Sequence, residues 1–246
     1  MTGLKDPKNR LIFALDVPGV DEAVSFVKQL DGCVGMFKVG LELFIKEGPA
    51  VLTAIREHSD AEIFLDLKLH DIPATVERAV TSAQKFNIRF LTVHCAGGEA
   101  MLNAAVKGAS DSGLQILGVT VLTSIGPEHL TQAMGFREGM TINELVMVYA
   151  RQSHGAGCAG VVCSGTDARM ICDQLGEAFL TVTPGIRPAD SIVSNDDQKR
   201  AMTPRKAIQA GANYLVVGRP IRDATDPKAA AQHIVQEISE ALAHSK

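Results

Sequence analysis

One short stretch of this chain carries more charge than its neighbours prepare for. Ile63-Phe64-Leu65-Asp66-Leu67-Lys68-Leu69-His70-Asp71-Ile72-Pro73 alternates apolar and ionisable side chains. Successive residues of a strand point to opposite faces. Leu65, Leu67 and Leu69 therefore face one way, and Asp66, Lys68 and His70 face the other. If the leucines meet covering helices, the ions enter an interior. There each charge costs several kcal/mol unless partners and hydrogen bonds compensate. Two other apolar runs repeat the oddity, with Lys38 inside Met36-Phe37-Lys38-Val39-Gly40 and Asp16 closing Ala14-Leu15-Asp16. Asp16, Lys38, Asp66 and Lys68, with Asp71 just beyond, form alternating carboxylates and ammoniums. Such an array marks a candidate catalytic site. The alternative is a salt-bridge network that only fixes the fold, and four ions on three adjacent strand ends are costly for that purpose.

A second constellation lies near the other end of the chain. Two more apolar runs close in Thr183-Pro184-Gly185-Ile186-Arg187-Pro188 and Leu215-Val216-Val217-Gly218-Arg219-Pro220. Glycine lets a ligand approach the backbone, and arginine offers a fork of N–H donors matched to phosphate. Other candidates are weaker. His70 and His94 lack a second ligand at metal-site spacing and are read as hydrogen-bonded structural histidines. Gly97-Gly98 fits a helix entry as well as a phosphate turn. Ser124 has no evident His/Asp partner nearby in sequence.

The elements that must position these residues follow from periodicity. Strand-like apolar segments occur at Leu11–Val17, Met36–Gly40, Glu62–Leu69, Phe90–Cys95, Gln115–Leu122, Gly160–Ser164, Phe179–Ile186 and Tyr214–Pro220. Several are hydrophobic throughout, as strands buried on both faces are. Helical spacing lies between them. Asp21 is placed to cap a helix bearing Val24, Val27 and Leu30; Pro73 opens one bearing Ala79, Val80 and Ala83; and Pro227 opens one bearing Ile234, Val235, Ile238 and Leu242. Eight strand–helix alternations predict an α/β fold, a (β/α)8 TIM barrel, as one domain over 1–246. A doubly wound open sheet is the alternative, but no glycine-rich dinucleotide fingerprint follows the first strand. Barrel enzymes place their sites at strand C-termini and bind phosphate after strands seven and eight, where both constellations fall. Two connections are long, from Thr123 to about Thr141 and from Arg187 to about Thr203; the second is expected to be a lid.

Composition narrows the function classes. Lys plus Arg number 24 and Asp plus Glu 28, for a net charge of −4. That leaves no electrostatic footprint for nucleic acid or an anionic membrane. No apolar run reaches the about 18–20 residues that span a bilayer, and the N-terminal stretch lacks the apolar region of a signal peptide. The five cysteines, Cys33, Cys95, Cys158, Cys163 and Cys172, include no CxxC pair and read as buried thiols of a cytoplasmic protein.

In combination these motifs are specific. Asp66-Leu67-Lys68-Leu69-His70-Asp71-Ile72-Pro73-Ala74-Thr75 resembles the D-x-K-x-x-D-I-x-x-T segment of the bacterial-type orotidine 5′-phosphate decarboxylase family. Leu15-Asp16-Val17, Phe37-Lys38-Val39-Gly40, Val121-Leu122-Thr123-Ser124, Pro184–Pro188, Asp197-Gln198-Lys199-Arg200 and Val217–Pro220 follow in matching order. The resemblance implies conversion of orotidine 5′-phosphate to uridine 5′-phosphate and CO₂, the last step of de novo pyrimidine synthesis, by a TIM-barrel homodimer with two shared active sites. It implies no metal and no organic cofactor. It makes Lys38, Asp66, Lys68 and Asp71 the catalytic array, with Lys68 the proton donor to C6. Asp16 and Lys38 are to hold ribose hydroxyls, and Asp71 and Thr75 to reach the ribose from the partner chain. Thr123 and Ser124 are to contact the pyrimidine, and Arg187, Gln198, Gly218 and Arg219 to serve the phosphate. Two rival readings use the same scaffold. One is a metal-dependent sugar-phosphate decarboxylase or synthase, which typically carries a metal-binding glutamate where Lys38 stands. The other is a catalytically silent nucleotide-binding protein.

Overall fold

In a computed structural model, described over residues 3–110, 112–126, 130, 139–188 and 202–244, the apolar runs form β1 (Leu11–Ala14), β2 (Met36–Gly40), β3 (Glu62–Leu69), β4 (Phe90–His94), β5 (Gln115–Val119), β6 (Gly160–Val162), β7 (Leu180–Thr183) and β8 (Tyr214–Val217). Each strand pairs in parallel with the next, and β8 returns to β1 to close the barrel. The doubly wound alternative is thereby excluded. Closure leaves no sheet edge, and both faces of every strand are covered, which is why the strands read as continuous hydrophobic runs.

Alternation along the strands creates two apolar layers. Ile12, Ala14, Met36, Phe64, Phe90, Leu117, Leu180, Val182, Tyr214 and Val216 pack inside the barrel. Phe90 packs edge-on with Phe64 at 6.0 Å and with Tyr214 at 5.3 Å. Their neighbours in sequence, among them Phe13, Phe37, Leu65, Leu91 and Leu215, face outward into the layer shared with the helices. That layer is covered by α1 (Val20–Leu30), α2 (Leu41–Glu47), α3 (Ala50–Arg56), α4 (Pro73–Ala83), α5 (Gly98–Gly108), α6 (Ile142–Gly155), α7 (Gly165–Leu175), α8 (Pro204–Gln209), α9 (Arg219–Arg222) and α10 (Pro227–Ala243).

Helix starts follow local chemistry. Thr141 and Glu144 form a reciprocal capping box on α6. Thr203 and Asp226 cap α8 and α10, each followed by a proline. The expectation that Asp21 caps α1 fails. The N-cap is Gly19, and Asp21 lies in the first helical turn, where its charge complements the positive end of the helix dipole. Several strands are also shorter than expected. β5 stops at Val119, β7 at Thr183 and β8 at Val217. The apolar residues beyond them bend away to form the walls of the barrel mouth: Gly185 takes a φ of +75° and Gly218 a ψ of −97°.

Candidate active site

Register brings the charged residues to adjacent levels of the barrel. β1 pairs with β2 so that Ala14 stands beside Lys38, and β2 with β3 so that Gly40 stands beside Asp66. The outcome is a chain of ion pairs across three strands. Lys38 Nζ lies 2.9 Å from Asp16 Oδ1 and 3.9 Å from Asp66 Oδ2, and Lys68 Nζ lies 2.7 Å from the same Asp66 oxygen. The Lys38 and Asp66 side chains are only 10% and 13% exposed, so their attraction is screened far less than at a surface. The formal charges sum to zero, and that balance makes the burial tolerable. Gly40 leaves room for this pair, since a Cβ on it would stand 3.0 Å from Lys38 Nζ and 3.3 Å from Asp16 Oδ1 and press on both side chains.

Regular alternation on β3 holds for direction but not for pairing. Leu65 pairs with Leu91, yet Leu69 pairs with Val93. Asp66, Leu67 and Lys68 thus share one opposing residue, Thr92, in a β-bulge. Lys68 itself adopts a φ of +50°, a left-handed conformation costing a residue with a Cβ about 1–2 kcal/mol. Its N–H donates to Thr92 Oγ1 at 2.9 Å, and that hydroxyl donates to Asp66 Oδ1 at 2.9 Å. Bulges commonly re-aim side chains beside active sites.

Lys38, Asp66 and Lys68 form the charged wall of a cavity of about 230 Å³. Phe64, Val119, Val121, Val162, Pro184 and Val216 form its apolar walls, and Leu122, Thr123 and Cys163 complete the lining. Charge on one side and hydrocarbon on the other suit a flat ring whose reacting edge faces the ions.

The family model for orotidine 5′-phosphate decarboxylase / HUMPS matches residues 9–234. The chain belongs to that family. A relative named orotidine 5′-phosphate decarboxylase from Desulfosudis oleivorans is 49% identical over 96% of this chain and 95% of its own length. Another of the same name, from Syntrophus aciditrophicus, is 44% identical over 97% of this chain and 96% of its own length. The crystal structure of orotidine 5′-phosphate decarboxylase from Lactobacillus acidophilus superimposes with a TM-score of 0.80 at 36% identity, over 93% of this chain and 98% of that one.

Of the site residues expected from the resemblance to this family, the tertiary structure places Lys38, Asp66, Lys68 and Thr123 around one cavity, and Asp16 joins them through its ion pair with Lys38. Ser124 is exposed in the turn after Thr123. Asp71 is exposed, and its carboxylate accepts from the Ile72 N–H at 2.6 Å instead of joining the ion-pair chain. Thr75 is half-buried in the first turn of α4. Gly218 and exposed Arg219 begin α9 beyond β8. Arg187 is buried beyond β7, its backbone N–H bonded to the Met202 carbonyl at 2.9 Å. Gln198 and most of the expected lid lie outside the described residues. Thr92 was not anticipated. The signal for it was polar Thr92 between inward-facing Phe90 and His94 in Phe90-Leu91-Thr92-Val93-His94, opposite the charged strand.

The His70 and His94 rings lie against each other at a tilt of 47°, with centroids 5.5 Å apart. They do not each anchor a hydrogen bond among the described residues, as the sequence had suggested. Burial, then the charges of His70 and Lys68, hold His94 below the ordinary histidine range, with Asp66 opposing. The unfolded chain therefore takes up this proton first as pH falls. The stability is present above the ordinary histidine value and is lost as pH drops through the folded one. Between pH 7 and pH 5, the melting temperature of the unaltered chain is expected to fall further than that of His94→Asn. Parallel pH profiles in thermal melts would remove His94 from the acid sensitivity.

Proposed function

We propose that this chain converts orotidine 5′-phosphate to uridine 5′-phosphate and CO₂, the last step of de novo pyrimidine synthesis. The observation that carries this reading is the Lys68 ammonium, 2.7 Å from Asp66 Oδ2, on the charged wall of an otherwise apolar cavity.

Cleavage of the C6–carboxylate bond leaves its electron pair in the ring plane at C6, without an obvious resonance sink. Placed charge must then stabilise the anion. Lys68 does so before bond cleavage is complete, and afterwards passes a proton to C6. The neutral amine regains its proton from solvent. Asp66 fixes the ammonium, while Lys38 keeps Asp66 from facing the substrate carboxylate as an unbalanced charge. A proton donor typically supplies about 10²–10⁴-fold, whereas enzymes span about 8–23 kcal/mol of barrier reduction. Preorganised charge supplies the larger share.

Asp16 and Lys38 hold ribose hydroxyls, and Thr123 and Ser124 contact the pyrimidine. Arg187, Gln198, Gly218 and Arg219 bind the phosphate, whose binding energy helps align the distant reacting carbon. The catalytic unit is one barrel domain over 1–246, and it works as a homodimer with Asp71 and Thr75 crossing to the partner's ribose. Ile45 is 77% exposed, Ile72 65% and Leu41 46%. All three follow strand C-termini at the barrel mouth, and an apolar rim there supports an interface beside the site. Five free cysteines, with no disulfide, support a cytoplasmic setting. Among the described residues, no helix is long and apolar enough to cross a membrane.

Lys38 argues against the metal-dependent rival. Its ammonium already stands between Asp16 and Asp66, neutralising the carboxylates a divalent cation would need. The test is to follow the absorbance of orotidine 5′-phosphate after adding purified protein, with and without EDTA. EDTA-resistant conversion to uridine 5′-phosphate is expected. Binding without turnover would establish the silent nucleotide-binding reading instead, and EDTA-sensitive turnover the metal-dependent one.

A further inference from the structure

We propose that Thr92 is a positioning residue for this reaction, using one hydroxyl to hold both the backbone of Lys68 and the carboxylate of Asp66. The inference rests on the decarboxylase reading for its kinetic test and on bond geometry for its structural one.

The bulge creates the need for such a residue. Three residues of β3, Asp66 to Lys68, oppose Thr92 alone. In a regular ladder the carbonyls of a neighbouring strand receive the N–H groups. Here the Lys68 N–H instead reaches Thr92 Oγ1, at 2.9 Å. An amide N–H can only donate, so the hydroxyl accepts there with a lone pair. Its proton is left for Asp66 Oδ1, also at 2.9 Å. The other Asp66 oxygen takes the Lys68 ammonium at 2.7 Å. A closed circuit results, running from the Lys68 backbone through Thr92 and the Asp66 carboxylate to the Lys68 side chain. Both ends of the proton donor are tied to one carboxylate plane.

Thr92 is completely buried. The side chain must therefore supply the bonds itself, because solvent has no ready access to replace the hydroxyl. Without it, a strained left-handed lysine loses its backbone anchor, and Asp66 is free to rotate toward Lys38. Misplacing a catalytic group by about 1 Å can cost about 10²-fold in rate.

The experiment compares Thr92→Val, which keeps the shape and loses the hydroxyl, with Thr92→Ser, which keeps the hydroxyl. For Thr92→Val, kcat on orotidine 5′-phosphate is expected to drop about 10–100-fold, with KM changed less than about three-fold. Thr92→Ser should stay within about three-fold of the unaltered enzyme. A purely structural role would lower the melting temperature and the folded fraction without this split in the folded protein. Thr92→Val turning over normally, or Thr92→Ser failing as badly, would overturn the proposal. If Thr92→Val does not fold, Thr92→Ala carries the same comparison. A crystal structure of the variant supplies the second readout. Lys68 is expected to leave the left-handed region and its ammonium to separate from Asp66, while an unmoved pair would overturn the inference. If the unaltered enzyme itself does not turn over, the decarboxylase reading fails, and the crystallographic comparison still decides the role of Thr92.

Discussion

Lys68→Ala is expected to reduce kcat by about 10⁴-fold or more while the barrel stays folded. Two losses coincide in this variant. The proton donor disappears, and with it the positive charge that stabilises the C6 anion before any proton moves. The first contribution alone is typically about 10²–10⁴-fold, and removing one preorganised donor at a developing anion costs about 10²–10³-fold. Stability should change little. The Lys68 side chain is 28% exposed, and Asp66 retains Thr92 Oγ1 at 2.9 Å and Lys38 Nζ at 3.9 Å. Absorbance kinetics and thermal melts on the same preparation separate chemistry from folding. Near-normal kcat would remove Lys68 as proton donor, and a collapsed melting transition would mean that the ion-pair chain holds the fold.

Mixing two dead variants is expected to restore turnover. Asp71 is exposed within its own chain and bonds its neighbour's backbone N–H, apart from the Asp16–Lys38–Asp66–Lys68 chain. If it acts in the partner's site, a dimer of one Lys68→Ala and one Asp71→Ala chain contains one site with both defects and one with neither. Random exchange between equal amounts makes about half of the dimers mixed, so activity should recover to about a quarter of normal. Each variant alone should be nearly inactive. No recovery after demonstrated subunit exchange would place Asp71 in its own chain's site or remove it from catalysis.

The parts of this protein legible in the sequence are those governed by local period. Leu65, Leu67 and Leu69 alternate with Asp66 and Lys68 on β3, and a single pass along the chain identifies the face that must carry ions. Eight apolar runs separated by helical spacing identify a helix-covered parallel sheet, because its strands are buried on both faces, and favour the barrel over the open sheet. The motif from Asp66 to Thr75, together with the motifs around it in matching order, was sufficient to recognise the family. Strand ends were less legible. Val121 and Leu122, which line the cavity beyond β5, are as apolar as residues that continue a ladder, and hydrophobicity alone does not distinguish the two.

Tertiary structure alone decided how the ions pair and what holds them. Nothing within β3 announces that it gains extra residues against β4, since a bulge is a property of two strands in register and not of either one. Lys68 consequently takes a conformation that its own sequence disfavours, and Thr92, 24 residues away, becomes its support. The sequence by itself determined which residues carry charge and which face they occupy, because side-chain alternation is a property of one strand. The distances among Asp16, Lys38, Asp66 and Lys68 were decided only when eight strands closed, because ion-pair geometry depends on the register between strands, which local periodicity does not encode.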